Sequence, residues 1–219
     1  MRLGLVPVLV FAMAPLCADP LDVILLAQDS PSTGLPLWRT DFSALRPDDR
    51  IGLITFAKAA LTRVPLTEDR QEFAGAVRSV IFHPNPNRSG QAHLWDALEY
   101  ACALFPDSGV GRKRVVILLF ADPDNSSPAT FESAGRGLIH TRATLSAAVV
   151  VKREPISPRD RQLQTPPMVG PSNVPVIEKT LMIPEATLAG IEKLAARTHG
   201  SVLREEWDLT KLIEQLRTR

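Results

Sequence analysis

The chain has 219 residues, of which 45% are hydrophobic and 22% charged, values typical of a soluble globular protein. Twenty-five Lys and Arg residues against 24 Asp and Glu leave a formal net charge of +1, so no charge excess favours nucleic acid or an anionic membrane. Aromatic residues are not interleaved with basic ones, which also argues against nucleic-acid binding. The length suits one domain, which we expect over residues 19–219.

Residues 1–18 differ in composition from the rest of the chain. Arg2 precedes an apolar run over residues 3–11, and the small residue Ala18 precedes a predicted cleavage point. This pattern is typical of a secretory signal peptide, and the apolar run is too short for a membrane span. We therefore expect a secreted or periplasmic protein with no membrane span after cleavage. An edge strand, or a start codon inside a longer gene, are the alternatives.

Apolar runs then alternate with helical patterns, which predicts βαβ units. The predicted fold is a three-layer α/β/α sandwich, Rossmann-like, with a mostly parallel central sheet and a short antiparallel edge strand. Strands are predicted at 22–27, 51–56, 60–65 (the antiparallel edge), 115–120, 145–151 and 201–203. Helices are predicted from an N-cap at Thr67 through Ile81, over 94–104, following Pro128, over 188–195 with an end at Gly200, and after an N-cap at Asp208.

Residues 153–184 interrupt this alternation. They contain seven prolines, which exclude regular helix and most sheet. We expect a long loop or a disordered insertion here, with a ligand-gating element as the alternative.

Four segments, in order, resemble the von Willebrand factor A family, particularly its bacterial exported branch. They are 22–32, similar to the first strand and metal loop; 49–56, similar to the second strand; 90–97, similar to the loop and helix bearing a threonine; and 113–127, similar to the strand and loop bearing a second aspartate. The likeness covers roughly residues 20–150 and resumes from 185. It implies a protein-binding module with Mg²⁺ at the carboxyl ends of the strands, held by Asp-x-Ser-x-Ser, a threonine, an aspartate and a partner's carboxylate.

The sequence departs from this pattern at three of the implied ligands. Ser30 and Ser32 match the two serines, whereas Gln28, Ala92 and Ala121 stand at the first aspartate, the threonine and the second aspartate. Neutral hydroxyl and amide oxygens do not offset the dehydration of Mg²⁺. We therefore expect no metal or other cofactor, and non-enzymatic binding of a protein or cell-envelope component. The expected ligand edge consists of Gln28, Ser30, Ser32, Ala92, His93 and Ala121.

A displaced divalent-cation site using Asp29, Asp122 and Asp124 is the first alternative. A step of one residue at a strand end turns a side chain to the other face, so we interpret these aspartates mainly as turn-capping or solvent-exposed groups.

The second alternative is a serine hydrolase using Ser30, which would follow a strand and precede a helix. The glycines of G-x-S-x-G are missing, however, and Cys102 lies in the apolar stripe of a helix, as a core residue would. The histidines show no metal-ligand spacing: His83, His93, His140 and His199. No dinucleotide-binding glycine motif or P-loop is found.

The first helix of the implied fold is predicted to be short. Only fourteen residues, including Pro36, separate Ser32 from Pro47. A truncated helix would leave part of one sheet face uncovered, and the exposed apolar patch would suggest a partner or homodimer contact. A degenerating domain is the alternative.

Overall fold

The computed structural model describes residues 19–29, 42–82, 92–107, 111–121, 124, 127–149, 152–155, 178–181, 183–204 and 209–218. Its strands are β1 (Leu21–Gln28), β2 (Arg50–Phe56), β3 (Ala60–Thr67), β4 (Lys113–Phe120), β5 (Ala143–Val149), β6 (Lys152–Pro155), β7 (Glu178–Leu181) and β8 (Val202–Arg204). Its helices are α1 (Arg70–Phe82), α2 (Leu94–Ala103), α3 (Phe131–Thr141), α4 (Glu185–Arg197) and α5 (Leu209–Thr218).

Six strands form a central sheet in the order β3-β2-β1-β4-β5-β8. Every neighbouring pair is parallel except β2 and β3, which are antiparallel. The mostly parallel sheet with one antiparallel edge strand is therefore confirmed. Central parallel strands are buried on both faces, which is why their sequences are continuous apolar runs.

Helices cover the sheet on both sides. Ile24 and Leu26 of β1 pack into one apolar cluster with buried residues of α2, α3 and α4. Val23 and Leu25 point the other way, into a second cluster with α1 and α5. This alternation along one strand produces two cores and three layers, as the sequence predicts.

Two predicted helix starts are wrong. Thr67 ends β3, and Asp69 caps α1 instead, with its Oδ1 accepting hydrogen bonds from the N–H groups of Gln71 (2.8 Å) and Glu72 (3.1 Å). Helix α3 does not start directly after Pro128, because Thr130 forms a reciprocal capping box with Ser133. In both places a side chain that bonds to N–H groups of the first helical turn decides where the helix begins.

The proline-rich segment has ordered ends. Strands β6 and β7 form an antiparallel pair separate from the central sheet, with Lys152 opposite Leu181 and Pro155 opposite Glu178. The prediction of a loop throughout 153–184 is therefore wrong at both ends, since Pro155 is tolerated at the end of a two-stranded ladder. Residues 156–177 lie outside the described part of the chain.

The expected uncovered sheet face is also wrong for the strands that the structure describes. All eight residues of β1 are buried. On the face in question, Leu45 is buried in the second cluster, and Phe42 and Ala44 pack against it. The turn before β2 thus helps α1 and α5 cover the sheet, which removes the original reason for expecting a dimer contact there.

Three other predictions fall wholly or largely on residues that the structure does not describe. The signal peptide predicted at 1–18, the Asp208 cap and most of the first-helix segment, residues 33–41, lie outside the described residues. Among the residues searched, the helices are too short or too polar to cross a membrane.

Candidate functional site

The carboxyl ends of three strands meet the start of α2. The N–H of Asp29, after β1, donates to the carbonyl of Phe56 at the end of β2 (2.6 Å). The N–H of His93, before α2, donates to the carbonyl of Ala57 (2.8 Å). We call this region the carboxyl edge; it contains Gln28, Asp29, Ala57, Ala92, His93 and Ala121. Ligands commonly bind open α/β sheets at such an edge.

Gln28 joins β1 to the end of β4. Its side chain is buried, and its Oε1 accepts a hydrogen bond from the main-chain N–H of Ala121 at 2.8 Å. A buried N–H without a partner would destabilise the fold, so this amide satisfies a group that β4 leaves at its end. One lone pair of Gln28 Oε1 is therefore directed to the main chain.

Ala92 and Ala121 present methyl groups at this edge. Ala92 is 0% exposed and lies in the first apolar cluster, and Ala121 is 4% exposed. Neither side chain offers an oxygen. The structure thus brings Gln28, Ala92 and Ala121 to one edge but buries all three.

His93 is the most accessible of the predicted ligand-edge residues that the structure describes. It precedes α2, makes no side-chain cap, and has 12% of its side chain exposed. Its Nδ1 lies 3.3 Å from Oδ2 of Asp96, and Oδ1 of Asp96 accepts a hydrogen bond from the N–H of Ala129 (2.7 Å). The imidazole is therefore oriented by a carboxylate that also ties α2 to the loop after β4.

Asp124 caps α2 from across the edge. Its Oδ1 accepts hydrogen bonds from the N–H of Leu94 (2.7 Å) and from the hydroxyl of Ser127, whose Oγ in turn accepts from Trp95 N–H (3.2 Å). A carboxylate is favoured at a helix N-terminus, where main-chain N–H groups lack partners. The sequence gives no signal for this role because the capped helix begins 30 residues earlier.

Asp29 lies beside an arginine of β3. Its side chain is 4% exposed, and its Oδ2 lies 3.8 Å from the guanidinium of Arg63 on β3. Nε of Arg63 donates to Oγ1 of Thr55 (2.8 Å), which fixes the guanidinium against β2. Asp29 therefore already has a cationic neighbour.

Several predicted site residues have no described position in the structure. Ser30, Ser32, Asp122 and His83 lie outside the described residues, so the hydrolase and displaced-cation alternatives stay predictions. Within the described ranges no three His, Cys, Asp or Glu side chains are grouped to hold a metal ion. His140 and His199 are exposed on other parts of the molecule.

Cys102 lies in the core, as predicted. It is 4% exposed in the first apolar cluster, and burial raises the pKa of its thiol to about 11. A thiol with so high a pKa is almost entirely protonated at neutral pH and is a poor nucleophile.

Comparison with known proteins finds a family that part of the chain resembles. Residues 39–124 match a family model described as the von Willebrand factor type A domain. Over these residues the chain is similar to von Willebrand factor type A domains. Domains of this family are generally non-enzymatic interaction modules. No curated protein sequence matches the chain.

Solved structures share the fold of this chain. An aerotolerance-related membrane protein from Bacteroides fragilis is 15% identical with a TM-score of 0.55, and the match covers 89% of this chain and 97% of that one. The protein BatB from Bacteroides thetaiotaomicron is 18% identical with a TM-score of 0.55, over 91% and 100% of the two chains. A von Willebrand factor type A protein from Catenulispora acidiphila is 14% identical with a TM-score of 0.55, but the match spans only 42% of its length and 91% of this chain.

Proposed function

We propose that this von Willebrand factor type A domain is an exported, non-enzymatic module that binds another protein or an envelope component at its carboxyl edge without a divalent cation. The observation that supports it most is the hydrogen bond between Gln28 Oε1 and Ala121 N–H. The family resemblance implies an aspartate at each of these two positions. Here the first contributes a neutral amide that is used by the main chain, and the second contributes only a methyl group.

The donor set at the carboxyl edge does not fit Mg²⁺. The ion needs about six oxygens near 2.1 Å, with negative charge among them. Gln28 is neutral and already accepts an N–H, while Ala92 and Ala121 have no side-chain oxygen. Even with the hydroxyls of Ser30 and Ser32, no anionic group would stand at the positions of the family's ligands.

The contacts of the neighbouring aspartates weigh against a displaced ion. Asp124 accepts two hydrogen bonds that cap α2, and moving it toward an ion would leave the N–H of Leu94 without this partner. Asp29 lies beside the guanidinium of Arg63, whose positive charge would repel a nearby divalent cation.

Without an ion to bridge to a partner's carboxylate, recognition would depend on shape and ordinary hydrogen bonds. Gln28, Ala92 and Ala121 are buried, so we infer that they set the shape of the edge, with the more exposed His93 nearer the partner. His93 offers a ring nitrogen that Asp96 orients. A second copy of the chain is one candidate partner.

Partner capture with and without chelator tests this proposal. Purified protein is immobilised and incubated with an extract of the cell envelope, and retained proteins are compared in magnesium and in excess chelator. We expect the same specific partner in both conditions. His93→Ala should weaken its capture, whereas His140→Ala, a matched change at the opposite end of the sheet, should not.

Loss of capture in chelator would overturn the metal-independent part of the proposal. Equal capture by wild type and His93→Ala, or a loss with His140→Ala alone, would place the contact away from the carboxyl edge. Static light scattering of the purified protein identifies self-association as the mode of binding if the mass is that of a dimer.

A further inference from the structure

A cavity of about 330 Å³ opens at the amino ends of the strands, where β4 begins and α3 ends. Arg112, Lys113, Arg114, His140 and Arg142 line it, and Asp107 is the one carboxylate among the described lining residues. We call it the amino-edge cavity. At about 3.3 Å per residue, the length of β4 separates it from the carboxyl edge by roughly 25 Å. It is therefore independent of the binding edge proposed above.

Arg114 supplies a fixed and uncompensated positive charge. Its Nη1 donates to the carbonyl of Thr141 (3.0 Å), its Nη2 donates to the carbonyl of Pro106, and its guanidinium lies 5.8 Å from the centre of the Phe105 ring. These partners orient the side chain but carry no negative charge. Within the described residues, no carboxylate forms an ion pair with Arg114.

Arg112 adds a second partly uncompensated charge. Its Nε donates to Oδ1 of Asp22 at 2.6 Å, but Asp22 also accepts two hydrogen bonds from the guanidinium of Arg50. One carboxylate thus stands between two guanidinium groups, and the trio keeps one positive charge. Only 19% of the Arg112 side chain is exposed, so water screens this charge less than a fully exposed one.

The end of α3 completes the lining. Arg142 caps this helix in the left-handed conformation, with φ 54°, and both it and His140 are exposed. Asp107, also exposed, is the one opposing group among the lining residues that the structure describes. Lys113 lines the cavity as well, so three positive charges remain around it after Asp107 is counted, with His140 neutral.

We propose that the amino-edge cavity binds a small oxyanion of the phosphate class. Guanidinium groups match the geometry of phosphate oxygens and donate paired hydrogen bonds to them. Arg114 is held in place before a ligand arrives, which reduces the ordering cost of binding. The volume lies at the small end of ligand pockets, and it fits a phosphate group on a small substituent better than a large molecule.

Titration calorimetry at constant ionic strength tests this proposal. Inorganic phosphate and glycerol phosphate are titrated into the intact protein, and sedimentation with phosphatidylglycerol vesicles is measured in parallel. We expect saturable phosphate binding that Arg142→Asn weakens about fivefold and Arg114→Gln weakens more. Asparagine tolerates the left-handed conformation at residue 142, so the backbone is preserved. Arg136→Gln, a change of an exposed arginine on the same helix outside the lining, should leave affinity unchanged.

If the protein binds the soluble phosphates but not the vesicles, the natural ligand is a free small molecule. If it also binds the vesicles, and Arg142→Asn abolishes that binding, the phosphate group belongs to a lipid headgroup. The proposal is overturned if no probe binds saturably, or if Arg136→Gln weakens binding as much as Arg142→Asn, which would indicate general charge attraction only. If Arg114→Gln does not unfold cooperatively, the comparison of Arg142→Asn with Arg136→Gln decides.

Discussion

Gln28 acts as a brace between two strands of the carboxyl edge. It is 5% exposed, and its amide oxygen accepts the N–H of Ala121 from a residue 93 positions away in the chain. The hydrogen bond needs a side chain at the end of β1 that is long enough to bring an acceptor oxygen to Ala121. Replacement by an apolar side chain of similar size would keep the volume but leave the N–H of Ala121 without this acceptor.

We therefore predict that Gln28→Leu lowers the free energy of unfolding by about 1–3 kcal/mol, the cost of burying an unsatisfied main-chain N–H. Gln71→Leu, the same change at an exposed position of α1, is the control and should alter stability by less than about 0.5 kcal/mol. Urea unfolding monitored by circular dichroism measures both. Equal effects of the two substitutions would show that the Gln28 brace does not stabilise the fold.

The sequence predicts where these residues lie better than it predicts their hydrogen-bond partners. The resemblance to the von Willebrand factor A family places Gln28, Ala92 and Ala121 at one edge, where the structure also brings them together. It did not reveal that Gln28 bonds to Ala121 or that Asp124 caps α2, because both contacts join residues far apart in the chain. Local sequence patterns do not indicate contacts between residues so far apart in the chain.

At the level of elements, the junction between α4 and β8 depends on a close approach of the backbone. His199 has φ 59°, and a Cβ added at Gly200 would lie 1.7 Å from the carbonyl oxygen of Leu145 on β5. The sequence correctly predicts that the helix stops before Gly200. The reason for glycine here, however, is contact with the sheet, which only the packed structure reveals.

We predict that Gly200→Ala destabilises the protein by more than about 3 kcal/mol, because the methyl group would force α4 and β5 apart. Gly75→Ala is the matched control, since a Cβ there meets nothing within 4 Å. It should instead stabilise α1 by about 0.5–1 kcal/mol through higher helix propensity. Thermal unfolding of the two variants measures these opposite signs. Similar melting temperatures for Gly200→Ala and wild type would contradict the close approach.

Across the whole molecule, buried ion pairs connect the amino ends of the strands to distant segments. Asp49, which is 0% exposed, accepts hydrogen bonds from the N–H of Leu21 (2.8 Å) and from Arg217 of α5. Asp22, also 0% exposed, pairs with Arg50 and Arg112 and so links β1 to β2 and to the start of β4. These contacts hold β1, β2, the start of β4 and α5 together at the amino ends of the strands.

The Asp22 cluster predicts how stability depends on pH. Burial by itself would raise the pKa of Asp22, but hydrogen bonds from Arg50 and Arg112 outweigh it and hold the pKa below its ordinary value of 3.8. Because the folded-state pKa is the lower one, the stabilisation is present above pH 3.8 and is lost as the pH falls through the folded-state value.

We expect Asp22→Asn to cost about 3–5 kcal/mol near pH 7, since it leaves two guanidinium groups without a carboxylate. The difference in unfolding free energy between Asp22→Asn and wild type should shrink as the pH falls below 3.8, because the wild-type carboxylate then becomes protonated. Asp48→Asn, a change of an exposed neighbour, is the control and should show neither effect. Denaturant unfolding measured from pH 7 down to acid pH tests this. A difference that stays constant with pH would contradict the assigned role of the ionised carboxylate.

Calorimetric titration of Mg²⁺ into the purified protein tests the central proposal of a metal-independent edge most directly. A triple variant that restores the residues implied by the family, Gln28→Asp with Ala92→Thr and Ala121→Asp, is titrated beside wild type, provided that it folds. We predict no saturable heat for the wild type at millimolar Mg²⁺, and binding in the triple variant that chelator reverses. Saturable Mg²⁺ binding by the wild-type protein would contradict the proposal, whatever the variant does.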